Sequence, residues 1–257
     1  MLTFPQIDPL LLSMGPISIR WYGVMYLIGF FSCYYLCKKR LALYPRLSEQ
    51  NLGDLLFYIA LGVIIGGRLG YLVYEPSMLF HEPLNVLKFW LPGRAFHGGL
   101  LGTLVAVYLF ARKTNNRFLD MTDFIAPTIP LALGFGRLGN FINGELWGRV
   151  TTMPWAMVFP HADAYPRHPS QLYEVLLEGV LLFILLMLYS KKPRPTGALS
   201  GVFLIGYGGL RIFVECFREP DLQLGYLFTQ ITMGQLLSLP MLAFGIWLQV
   251  RSYRHPH

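Results

Sequence analysis

LGDLLFYIALGVIIGGRLGYLVY, residues 52–74, decides the fold class. Its 23 residues carry two charges, Asp54 and Arg68, and are otherwise almost wholly apolar. Wound into a helix at 1.5 Å per residue, the stretch is about 35 Å long, enough to cross the roughly 30 Å hydrocarbon core of a bilayer. Stretches of 17 to 23 residues with at most two charges recur at 21–37, 95–111, 124–144, 170–190, 198–217 and 231–250. Over the whole chain 54% of residues are apolar and 14% charged, against about 25% charged in a soluble domain. A cytosolic globular enzyme is therefore excluded. The expectation is an all-α, polytopic membrane protein with about seven transmembrane helices, residues 1–257 forming a single integral membrane domain.

The formal charge of +7 does not point to nucleic acid, because the basic residues are scattered through short loops and form no face that could hold a duplex. Three cysteines are too few for a disulfide framework. Cys33, Cys37 and Cys216 all fall in apolar blocks and read as lipid-buried thiols. No C-x-x-C, zinc-finger or glycine-rich phosphate-loop pattern occurs, and no internal repeat. The first 19 residues lack Lys and Arg but contain Pro5, Pro9, Pro16 and Asp8. That is not the pattern of a removable signal peptide. It reads as a short amphipathic segment lying at the interface.

Loop charges set the orientation. Lys38, Lys39, Arg40, Arg46, Arg112, Lys113, Arg117, Lys191, Lys192, Arg194, Arg251 and Arg254 fall on one side. Arg20, Lys88, Arg149, Arg167 and Arg218 fall on the other. The richer side is cytoplasmic by the positive-inside rule, which puts the N-terminus outside and the C-terminus inside. The longest outer connection, 145–169, holds Trp147, Trp155 and four prolines and reads as a small irregular cap. Gly62, Gly66 and Gly70, and likewise Gly98 and Gly102, are spaced by four, a pattern that lets helix backbones approach closely.

Ionisable residues inside spans are costly and mark functional sites by default. On this topology Arg68, Arg137, Glu174, Glu178, Arg211 and Glu215 all fall in the outer half of their spans, with His97 at the mouth of the third and Tyr22 opening the first. Buried salt bridges could simply hold a bundle together. Two arginines at similar depth, Arg137 and Arg211, more naturally form a site for an anion, and the anion available there is a lipid phosphate. Around Arg137 the sequence GFGRLGNFINGELWG, residues 134–148, supplies small residues beside the guanidinium. Asn140, Asn143 and Glu145 supply hydrogen-bonding groups near the helix exit.

GRLGNFINGELWG at 136–148 closely resembles the signature of bacterial prolipoprotein diacylglyceryl transferases. So do FHGG at 96–99, RHPSQLYE at 167–174 and YGGLRIFVECFR at 207–218, with WYG at 21–23 and GGR at 66–68 in keeping. The resemblance runs in order from the first span to the last. It implies a seven-helix enzyme of the bacterial inner membrane, active at the periplasmic face. Such an enzyme moves the diacylglyceryl group of phosphatidylglycerol to the lipobox cysteine of an exported prolipoprotein. A thioether forms and glycerol 1-phosphate leaves, without metal or other cofactor. By the same resemblance Arg137 matches a lipid-binding position, and His97 and Arg211 match essential ones. Tyr22, Asn140, Gly148, Glu174, Tyr207, Glu215 and Arg218 match further important positions. The resemblance leaves open whether the base is His97 or a carboxylate. The competing class is a non-enzymatic receptor or lipid transporter. No lysine lies mid-span to hold retinal, and a transporter would put its polar site at the midplane.

Overall fold

The computed structural model describes residues 2–15, 17–76, 95–220, 226–227 and 231–254. The chain is mostly helical and divides into two units, residues 37–124 and residues 1–36 with 125–257. Helix α1 spans Trp21–Arg40, α2 Glu49–Tyr74, α3 Phe96–Lys113, α4 Phe118–Ile142, α5 Ser170–Tyr189, α6 Ala198–Glu215 and α7 Met233–Arg254. Among the described residues α2, α4, α5, α6 and α7 are long and apolar enough to cross a membrane. Helix α1 ends in Lys38-Lys39-Arg40, and α3 opens on His97 and closes on Arg112-Lys113. Those polar ends lower the mean hydropathy of both helices.

In the 37–124 unit, Ser48 starts α2 with a reciprocal cap. Its Oγ accepts from the Asn51 amide at 3.1 Å, and Asn51 Oδ1 accepts from the Ser48 amide at 3.0 Å, satisfying donors that a helix start leaves open. Helices α2 and α3 pack backbone to backbone. A Cβ on Gly62 or Gly66 would collide with the carbonyl oxygen of Gly102 or Gly98, and one on Gly70 would lie 2.7 Å from Gly98 Cα. The glycine spacing read from the sequence is this contact. Arg40 is buried, its Nε donating to the Phe124 carbonyl at 3.2 Å.

In the other unit, α4 is interrupted by a 3-10 turn at Ala126–Thr128 containing Pro127, which lacks the amide a continuous helix needs. Helix α5 carries a π turn at Val175–Leu181. Gly134 of α4 meets Gly179 of that turn, where an added Cβ on either would lie 3.0–3.2 Å from the opposing Cα. Leu182, Leu186 and Tyr207 are buried together, with Leu133, Phe203 and Met241 against them. Along α5, Leu176, Leu185 and Leu188 are exposed, while Glu174 and Glu178 are buried. A helix with polar residues inside and apolar ones outside is built for lipid rather than water.

The N-terminal segment, expected as a short amphipathic stretch, contains strands. Leu10–Met14 and Ile17–Arg20 form an antiparallel hairpin turning at Gly15, whose φ is +59°. Leu2–Thr3 pairs in parallel with Met157–Val158. Short β-prone runs flanking a left-handed glycine make a hairpin that the reading of an amphipathic segment had not included. Phe4 anchors the start against Phe141 and Phe159, with centroids at 5.2 and 5.1 Å.

Candidate active site

Glu174, in the first turns of α5, has no solvent exposure. Three arginines converge on its carboxylate. Arg137 Nε, from α4, lies 3.3 Å from Oε2. Arg211 Nη1, from α6, donates to Oε1. Arg218 Nη1, beyond the end of α6, is 3.8 Å from Oε1. Arg211 also faces Glu178 at 3.5 Å and Glu215 at 2.8 Å. Three guanidiniums and three carboxylates thus share one buried cluster, and Arg211 links all three carboxylates. The sequence reading had Arg68 as the third arginine of the layer. In this unit it is Arg218, whereas Arg68 is a buried residue of the 37–124 unit.

Arg218 reaches the cluster because the loop chain is stitched across it. Gly148 pairs with Arg218 as an isolated bridge, the Gly148 amide donates to the His168 carbonyl at 2.9 Å, and the Arg149 amide donates to Phe217 at 2.9 Å. A Cβ on Gly148 would lie 2.5 Å from the Phe217 oxygen and 2.6 Å from the His168 oxygen. Gly148, expected as a substrate-binding residue, therefore has a packing reason to be glycine. Arg149 Nε adds a hydrogen bond to the Arg218 carbonyl at 3.0 Å.

A second polar group caps α4. Asn140 Nδ2 and Asn143 Nδ2 donate to Glu145 Oε1 at 2.8 and 3.2 Å. Gln171, wholly buried, donates to the Glu145 carbonyl at 2.6 Å. The chain turns there through Gly144 and Leu146, with φ of +65° and +60°. Asn143 also lines a cavity of about 290 Å³ with Phe4, Asp8 and His161. Glu145 was read as a hydrogen-bonding group near the helix exit, whereas Gln171 was visible in its motif but not singled out. Their contacts run through backbone carbonyls and helix ends, which spacing does not reveal.

Tyr22 lies against Gly139, where a Cβ would come within 3.0 Å of its ring, and its hydroxyl is 3.1 Å from that of Tyr26. Tyr207 is buried on α6, stacked on Phe203 at 5.9 Å. His97 is the second residue of α3 in the 37–124 unit and is exposed. Of the cysteines, Cys37 is buried, Cys33 half-buried with Sγ 3.4 Å from the Thr128 carbonyl, and Cys216 exposed. Beside the cluster, His168 Nδ1 is 3.0 Å from the Tyr173 hydroxyl, which also accepts from the Trp155 indole at 2.6 Å. Burial pushes the His168 imidazole below its ordinary pKa, and the Arg167 guanidinium holds the Asp163 carboxyl below the usual carboxylate range.

Planar guanidiniums clustered at one end of a helix bundle are suited to an oxyanion such as a phosphate, whose oxygens they can meet in pairs. A family model described as prolipoprotein diacylglyceryl transferase matches residues 9–251. The chain belongs to this family. The phosphatidylglycerol–prolipoprotein diacylglyceryl transferase of Legionella pneumophila (strain Lens) is 54% identical over 251 residues, covering 96% of this chain and 98% of that protein. The enzyme of that name from Nitrosomonas europaea is 54% identical over 259 residues, with 99% and 93% covered. That from Vibrio parahaemolyticus is 52% identical over 256 residues, with 98% and 93% covered. The resemblance carried by the motifs is borne out, and the chain is a transferase of this family.

Proposed function

We propose that this enzyme transfers the diacylglyceryl group of phosphatidylglycerol to the lipobox cysteine of an exported prolipoprotein, at the outer face of the bacterial inner membrane. The observation that carries the reading is the convergence of Arg137, Arg211 and Arg218 on Glu174, a carboxylate with no solvent exposure, in a chain of this family. The cysteine sulfur attacks the glycerol carbon bonded to the phosphate. The carbon–oxygen bond breaks, its electrons stay on the phosphate oxygen, and glycerol 1-phosphate leaves. Nothing is oxidised or reduced, so no redox cofactor is needed.

Negative charge grows on the departing phosphate, and Arg137 and Arg211 stabilise it with paired, charge-assisted hydrogen bonds. Glu174 and Glu215 aim those guanidiniums, and Arg218 completes the cationic wall. Tyr22, Asn140, Asn143, Gly148 and Tyr207 shape the place where the headgroup rests. His97 accepts the thiol proton, the general-base role that an imidazole nitrogen can fill. The nucleophile belongs to the substrate, so Cys33, Cys37 and Cys216 need not react.

In this reading all of α1 to α7 cross the membrane within one integral domain. Residues 145–169 form a cap on the outer side, the N-terminus is outside and the C-terminus inside. The direct test incubates purified enzyme with phosphatidylglycerol and a lipobox peptide and weighs the peptide. The expected result is a diacylglyceryl mass increment on the cysteine that vanishes when the cysteine is replaced by serine. An unmodified peptide beside folded, lipid-bound enzyme would overturn the reading.

A further inference from the structure

The cluster around Glu174 is electrically balanced. Arg137, Arg211 and Arg218 supply three positive charges, and Glu174, Glu178 and Glu215 can supply three negative ones. An anionic headgroup entering it adds one negative charge. In a buried place an uncompensated charge is costly, and the usual relief is a change of protonation. The three carboxylates are not equally held. Glu174 accepts from Arg211 and faces all three guanidiniums. Glu215 has Arg211 Nη2 at 2.8 Å. Glu178 is 1% exposed, its nearest ion-pair partner among the described residues is Arg211 at 3.5 Å, and neither of its oxygens accepts a hydrogen bond there. It also sits in the π turn of α5, a local distortion found often at functional sites.

We infer that Glu178 is the proton-accepting member of the site: binding of the phosphodiester headgroup to Arg211 draws one proton from solvent onto the Glu178 carboxylate. This rests on the reading of the cluster as the headgroup site. Before binding, Arg211 Nη1 serves Glu174 and Glu178 together. A phosphate oxygen that takes Nη1 leaves Glu178 without its closest cation. The groups that then face it are Glu174 on its own helix, Arg137 from α4, and Tyr207 and Arg211 from α6. Glu174 repels its charge, the headgroup adds to that repulsion, and a proton on Glu178 removes both. Glu178 is thus a positioning residue that sets the net charge of the site through Arg211, and lipid affinity is linked to pH.

The test is calorimetric titration of the full-length enzyme with short-chain phosphatidylglycerol between pH 5 and 9, each pH run in two buffers of different ionisation enthalpy. The phosphodiester does not titrate in this range, so any proton taken up belongs to the protein. Wild type should take up about one proton per lipid where Glu178 starts ionised, its affinity falling about tenfold per pH unit there. Glu178→Gln should bind with no proton uptake and a flat pH profile. Uptake unchanged in Glu178→Gln, or none in wild type at any pH, would overturn the linkage. Wild type that fails to bind phosphatidylglycerol at all would overturn the headgroup reading as well. If Glu178→Gln does not fold, infrared difference spectra of wild type with and without lipid decide the matter. A protonated-carboxyl band must appear on binding, and its absence sinks the proposal.

Discussion

Arg137 meets Glu174 most closely through Nε, the nitrogen set back from the two terminal ones of its fork. Those nitrogens are the part of the guanidinium that can grip two phosphate oxygens at once. Arg137→Lys keeps the charge but not the fork, and should lose most of the transfer activity. Arg137→Ala should cost on the order of 2–4 kcal/mol of transition-state stabilisation, roughly 30- to 1000-fold in rate. Near-normal turnover by folded Arg137→Ala enzyme would remove Arg137 from the anion site. His97 carries the second residue-scale prediction. His97→Gln should bind phosphatidylglycerol normally but transfer poorly at pH 7. Raising the pH toward 9 should restore part of the activity, because a free thiol with pKa near 8.5 then ionises unaided. A variant inactive at every pH and unable to bind lipid would make His97 a lipid-binding or structural residue.

At the scale of elements, the helix-to-helix contacts were legible where they are local in sequence and hidden where they are not. The four-residue glycine spacing gave the α2–α3 face directly. Gly66→Ala pushes a methyl into the Gly98 carbonyl, so the backbones must part, at a cost of about 1–3 kcal/mol. Gly53 on the same helix has nothing within 4 Å of an added Cβ. Gly53→Ala should therefore hold or raise stability, by up to about 1 kcal/mol. Thermal unfolding in detergent compares the two, and equal melting temperatures would refute the packing argument. Arg218 shows the other case. It follows α6 and looks like a loop cation, and only the bridge to Gly148, 70 positions away in the chain, turns it toward Glu174. The loop next to it carries a pH prediction. An indole can only donate, so Tyr173 accepts from Trp155, and its own proton is available to a neutral His168 Nδ1 3.0 Å away. Burial makes the folded state favour neutral His168 and lowers its pKa. Below about pH 6.5 the unfolded chain binds more protons than the folded one, so stability falls as the pH drops. Melting temperatures from pH 8 to 5 should decline in wild type and decline less in His168→Gln, and identical slopes would remove His168 from the account.

Over the whole molecule, hydrophobic length read the helices well, because the bilayer imposes a fixed thickness on whatever crosses it. The block at 52–74 became Glu49–Tyr74, and that at 198–217 became Ala198–Glu215. The N-terminal hairpin was missed, since its strands are short and pair through the backbone rather than through any periodic face. The side of the membrane on which each end lies is a separate matter, decided by where positive charge resists translocation. Twelve of the 21 Lys and Arg residues fall in the loops after the first, third and fifth spans and in the tail, against five in the opposite loops. The bias is strongest next to the helix ends where it acts: Lys38-Lys39-Arg40 closes α1, Arg112-Lys113 closes α3, and Arg251 and Arg254 close α7. In the proposed arrangement α1 and α3 cross as well, and an odd number of spans puts the termini on opposite sides. A reporter fused after His257 should therefore be cytoplasmic, and one inserted at Ala162 should be outside. Weakening the bias at the first loop, with Lys38, Lys39 and Arg40 replaced by neutral residues, should produce a mixed population of orientations. Reporters at His257 and Ala162 found on the same side would mean that one of the helices between them, α5, α6 or α7, does not cross.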